Sequence, residues 1–232
     1  MRTAVLTAVL AAATAACRTA PRAPAAPPPV QTVSDADLGR LAPEQMGPLQ
    51  QARATLDEAR DAVARARLRL QDSRHEEGWA NAERAQAEGD RLRAAAELSS
   101  AREAGDARQG ALAGDRAEAA TLRAQAADAR LEYGRRLVAA RDAEVRSAEA
   151  RVRRVEWEVE RSKLLALRKA GLPAASKYDP APIEGRIAEA AKAEEAARVH
   201  SRDLGGTARA SHDRWRALED RYEARARSIP TG

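Results

Sequence analysis

The side chain best placed to do chemistry is the lone thiol, Cys17. It follows Thr14-Ala15-Ala16, small residues that close the uncharged, mostly apolar stretch Thr3 to Ala16 behind a short basic start at Arg2. That stretch has the length of the apolar core of an export signal. It falls short of the roughly 20 residues that a membrane-spanning helix needs. With no second cysteine, Cys17 has no disulfide partner in the chain, and an export signal that ends at a lone cysteine is a more specific pattern than one that ends at small residues alone. The histidines, His75, His200 and His212, lack the one-face spacing of a metal site such as His-Glu-x-x-His. His75-Glu76-Glu77 reads as an exposed turn rather than a chelating group. There is no glycine-rich phosphate loop and no Gly-x-Ser-x-Gly turn. Carboxylates are plentiful, but a catalytic pair needs a sheltered pocket to separate its pKa values. The expectation is a protein that is not an enzyme and holds no metal and no cofactor.

The elements that would position these residues follow from composition and period. Alanine supplies most of the 44% hydrophobic share, aromatics are 3%, and Phe is absent. Alanine buries little area, so a thick core is hard to build. Alanine and arginine are strong helix formers, and a chain that is 32% charged with this bias favours long helices and coiled coils. Disordered chains share the high charge and scarce large apolar residues, so periodicity decides.

The periodicity is helical. Ser34 with Asp37 resembles an N-cap pair, and Gly39, Pro43, Gly47 and Pro48 then allow only short turns. Leu49, Leu56, Val63 and Leu70 recur every seven residues, with Ala52, Ala59 and Ala66 three residues after the first three. His75 to Gly78 is read as a kink or turn, beyond which the seam is expected at Ala82, Ala85, Gly89, Leu92, Ala96 and Ser99. A stronger seam runs Leu131, Val138, Val145, Val152 and Val159, with Ala148 and Val155 between. Glu132 with Arg136, Asp142 with Arg146, and Glu149 with Arg153 support it from the flanks. Trp157 and Leu164 form a second stripe, expected to meet a third helix. Gly171 and Pro173 end this helix, Asp179 caps the next, and Pro180 opens it. The last seam is Ile187, Ala190, Ala197, Leu204, Ala208, Ser211, Trp215, Leu218 and Tyr222. Gly205 and Gly206 mark a bend in it. Gly105, Gly110 and Gly114 predict a turn between the first two seams, because the first needs a partner. The alternative is one straight rod of roughly 120 residues, about 180 Å long. A partner in another molecule, including a second copy, would meet the same need.

The expected organisation is a signal over 1–16, a segment over 17–33 that holds Cys17 and a proline-rich linker, a helical coiled-coil region over 34–170, a loop over 171–182 and a C-terminal helix over 183–229. The fold class is all-α: three long helices in an elongated antiparallel coiled-coil hairpin after a disordered tether. Pro21, Pro24, Pro27, Pro28 and Pro29 favour polyproline II in the linker, which at about 3.1 Å per residue spans up to roughly 50 Å. The net charge is +5, yet 40 basic residues are interleaved with 35 acidic ones. That describes solvated helix surface, and nucleic acid is not an expected partner. Trp215 lies on its seam. Trp157, off the main seam, and Tyr178, in the 171–182 loop, are the candidate interaction residues.

Cys17 and the residues before it resemble the lipobox of bacterial lipoproteins, and the whole chain resembles the outer-membrane lipoproteins with an alanine-rich coiled-coil body. It departs from the lipobox pattern at Thr14, where leucine is commonest. The resemblance implies that Cys17 becomes the first mature residue and carries acyl chains, which together anchor stably. Arg18, not Asp, after the cysteine implies sorting to the outer membrane. It also implies a scaffolding role facing the periplasm, with an envelope protein, peptidoglycan or another copy as partner. The other readings are an accessory or regulatory subunit of an envelope enzyme or transporter, and a cytoplasmic basic coiled coil that binds nucleic acid.

Overall fold

The structure is a computed structural model that describes residues 31–230. The chain divides into two units, Met1–Gln31 and Thr32–Gly232, and the three long helices belong to the second. The residues read above as an export signal, Cys17 and the proline-rich stretch up to residue 30 lie outside the described residues.

The described residues build three long helices after a short lead-in. The lead-in is α1, Asp35–Leu38, whose N-cap Ser34 accepts a hydrogen bond from the Ala36 N–H, followed by a 3-10 turn at Pro43–Gln45. The long helices are α2, Gly47–Glu103, α3, Ala107–Lys169, and α4, Pro180–Ser228. At 1.5 Å per residue they are about 85, 95 and 75 Å long. A 3-10 turn at Pro173–Lys177 joins the last two.

Local chemistry fixes each reversal. Gly105 takes φ 71°, a left-handed conformation that glycine adopts without cost, and so ends α2. Asp106 then caps α3, its carboxylate accepting from the N–H groups of Arg108 and Gln109. At the other end Gly171 takes φ 67°. There the Leu172 N–H reaches the Leu167 carbonyl and the Gly171 N–H reaches that of Arg168, so the last turn of α3 is closed. Asp179 caps α4 through the Ala181 N–H, with Pro180 in the first turn.

The predicted turn is therefore real, but Gly105 alone makes it; Gly110 and Gly114 lie inside α3. The last helix starts at Pro180 under the Asp179 cap, as those two residues predict and three residues before the expected bound at 183, and it is helical through Gly205 and Gly206. The expected break at His75–Gly78 is absent, because none of these residues is proline and a single helical glycine costs only about 1 kcal/mol. An unbroken helix keeps its heptad phase. Ser73, Ala80 and Ala87 continue the seam of Ala59 and Ala66 and are buried, whereas Ala82, Ala85, Leu92, Ala96 and Ser99 are exposed. The seam read over 82–99 thus lies on the wrong side of α2.

Helix α3 is central. It packs along its length against both α2 and α4, which have no comparable packing against each other. The Leu131 to Val159 seam faces α2, where Val138 and Val145 pack with Ala66 and Leu70. Farther along the same interface Ala124 and Ala127 meet Ala87. The side bearing Tyr133, Ala150, Arg154 and Trp157 faces α4. On a heptad lattice these sides are nearly opposite, so the three helices form an open layer rather than a closed bundle. A helix approached from two sides needs small residues on both, which accounts for the alanines. The larger buried side chains gather where α2 begins, α3 ends and α4 begins: Val33, Leu38, Leu49, Leu164, Leu167 and Ile183.

Two ladders of ion pairs mark the antiparallel register. Arg60, Arg67, Glu77, Arg84 and Asp90 of α2 meet Glu156, Glu149, Arg135, Asp128 and Arg123 of α3 in reverse order. Glu184, Glu194, Arg214 and Arg225 of α4 meet Arg161, Arg154, Glu132 and Asp115 of α3 likewise. Exposed pairs are worth about 0.2–1 kcal/mol each, so they select register more than they hold the fold.

Candidate interaction surface

Trp157 sits on α3 where two open grooves meet. The first, of 570 Å³, is walled by Asp35, Arg53 and Arg60 on one side and Glu156, Glu160 and Lys163 on the other. The second, of 420 Å³, lies between α3 and α4 over Ala150, Ala190, Ala193 and Ala197. The indole is partly buried, so it both packs toward the third helix and presents a surface. Leu164, the other member of its stripe, is buried.

Arg153 stands one turn from Trp157 and lines the α3–α4 groove with it. The expected Glu149–Arg153 pair does not form. Glu149 turns instead to Arg67 of α2 at 2.8 Å, and among the described residues no carboxylate pairs with Arg153. The other two expected pairs, Glu132–Arg136 and Asp142–Arg146, are present. Tryptophan and arginine are the side chains most enriched where protein interfaces concentrate their binding energy.

Tyr178 is only 6% exposed. Its hydroxyl accepts from the Ser34 N–H at 3.1 Å and donates to the Asp37 carboxylate at 2.7 Å. The Val33 N–H donates to Glu160 at 2.9 Å, and Lys163 joins Glu160 to Asp35. Tyr178 thus fastens the lead-in to the end of the layer. Tyr178→Phe strands the Ser34 donor and the Asp37 acceptor, a loss of about 1–3 kcal/mol. The expected result is faster hydrogen exchange and easier proteolysis over 32–46, with exchange in the middle of α3 unchanged.

A third group was not foreseen from the sequence, which placed only Trp215 on a seam. Tyr133 of α3 stacks on Trp215 of α4, with centroids 5.8 Å apart and planes 9° from parallel. His212 meets both rings edge-on at 5.2 and 5.5 Å. The Arg130 and Arg216 guanidinium groups lie over the indole at 5.4 and 5.6 Å. Tyr133 falls two residues after Leu131, off the seam, and the signal that would find it is the Trp157 stripe traced back along α3. These rings clasp the second half of α4 to α3.

No family model, curated protein or solved structure matches this chain. Function must be read from the surfaces themselves. Among the described residues no three metal-ligating side chains come together, and no helix is long and apolar enough to cross a membrane. Glu88 is held below the ordinary carboxylate range by a hydrogen bond from Arg91, the opposite of what a general acid needs. Arg154 is held above its ordinary value, first by its hydrogen bond to Glu194.

Proposed function

We propose that the protein is a lipid-anchored structural protein of the bacterial cell envelope that presents its helical layer to a partner in the periplasm. The observation that carries this reading is the open arrangement of the layer. Because α2 and α4 lie on opposite sides of α3, two broad surfaces stay available, where a closed bundle would turn its seams inward. The layer begins at Thr32, held by Glu160 and Tyr178 at the end where α2 starts. The turn at Gly105 is therefore at the end of the layer remote from Thr32. By its resemblance to lipoproteins, acyl chains on Cys17 would fix the protein to the outer membrane, facing the periplasm. Envelope proteins, peptidoglycan and further copies are the partners within reach.

A second reading, an accessory or regulatory subunit of an envelope enzyme or transporter, is favoured by the Arg153–Trp157 pair. It requires one stoichiometric partner whose capture is lost in Trp157→Ala.

The deciding experiment for the anchor is the intact mass of membrane-extracted protein beside a Cys17→Ala variant. The expected result is a chain beginning at Cys17 and carrying acyl chains, with the variant unacylated and released from the membrane. A soluble chain beginning at Met1 would overturn the proposal.

A further inference from the structure

We infer that two copies of this chain pair in parallel and in register through the outer side of α2. Leu68, Trp79 and Leu92 are 61%, 72% and 57% exposed, and all lie on α2 away from α3. A helix at the edge of a layer needs one side to pack, and α2 carries a second stripe free of charge on the side away from α3. On the outer side Leu68, His75, Ala82, Gly89 and Ala96 recur every seven residues. Gly78, Ala85, Leu92 and Ser99 follow the last four of these by three. Charge is confined to the flanks, as in a coiled-coil seam.

The flanks argue for a second copy. In a parallel pair, the residue just before each stripe position faces the residue five places on in the other helix, and these pairs set partner and orientation. On α2 this sets Arg67 against the second copy's Asp72 and Glu88 against its Arg93. It also sets Arg74 against the Trp79 ring, a cation–π pairing, and Asn81 against Gln86. Twofold symmetry makes each match twice. An antiparallel pair with Ala82 opposite Ala85 would instead set Arg67 near Arg102 and Arg74 near Ala95. Arg67, Glu88 and Arg93 now hold exposed pairs within the chain, which cost little to exchange. The inference is independent of the anchor and stands whether or not Cys17 is acylated.

The test uses the full chain with Cys17→Ser, so that no native thiol interferes. Sedimentation equilibrium is expected to give twice the chain mass, and the double variant Ala82→Glu/Leu92→Glu is expected to return it to one chain mass with unchanged helical circular dichroism. Ala96→Cys is expected to form a disulfide with itself across the pair, since in-register helices bring the two positions within bonding distance. A single-chain mass at every concentration would overturn the inference. So would a dimer that survives the double glutamate variant, or a disulfide that forms only when Ala96→Cys is mixed with Gln71→Cys, the mark of an antiparallel pair.

Discussion

Leu167→Ala is expected to cost about 2–5 kcal/mol of stability, the range for emptying a fully buried leucine site. Leu167 is inaccessible to solvent and stands in the last turn of α3, where its carbonyl also accepts the Leu172 N–H. Few large side chains are so deeply placed; among the described residues Leu49, Ile183 and Val155 are the others. Elsewhere alanine meets alanine, which excludes water but removes little apolar area per residue. The loss therefore falls on the part of the fold that contributes most. The nearby control is Leu165→Ala, at a site 55% exposed, where a change within about 0.5 kcal/mol is expected. Urea unfolding followed by circular dichroism measures both. Equal effects at the two sites would mean that this end is not the core of the layer.

Substitutions at Gly134 are expected to run in opposite directions with size. Gly134 is buried in α3 against Glu77 of α2, and a Cβ there would lie 3.4 Å from the Glu77 Cα and 3.6 Å from its Cβ. Those are ordinary contact distances, so one methyl group fits. Alanine is the better helix former by about 0.8–1.0 kcal/mol, and Gly134→Ala is expected to raise stability by up to that amount. Gly134→Leu has no such room. It must push α2 away along neighbouring alanine contacts, at a cost of about 1–3 kcal/mol. The urea midpoints of the two variants should therefore bracket the parent. A loss in Gly134→Ala would show that the helices approach more closely than these distances imply.

The α3 seam was legible because valine and leucine mark it every seven residues, and the α3–α4 loop was legible because Gly171, Pro173 and Asp179 each have one structural use. The second half of α2 was misleading for a definite reason. After Leu70 the positions facing α3 hold Glu77, Arg84 and Arg91, and the first two pair across to Arg135 and Asp128. Their aliphatic stems cover the neighbour while their charged heads stay in water. Counting apolar residues therefore favours Ala82, Leu92 and Ala96 on the outer side. Only helix continuity through His75–Gly78 gives the right answer, and no residue there announces it. Tyr178 was legible as a distinctive side chain, but its contacts lie 141 and 144 residues away in Asp37 and Ser34, a distance no local pattern spans. The Arg153–Trp157 pair falls between these cases. Its spacing was visible, but the diversion of Glu149 to Arg67 depends on the α2–α3 register.

Three rods joined side by side have unequal bending moduli. Flexure within their plane must stretch one outer helix and compress the other along unbroken hydrogen-bonded backbones. Flexure across the plane only curves each helix gently, as long helices do in any case. The lack of comparable packing between α2 and α4 therefore makes this layer of three helices a ribbon, rigid edgewise and compliant flatwise, able to lie along a curved surface without giving up its length.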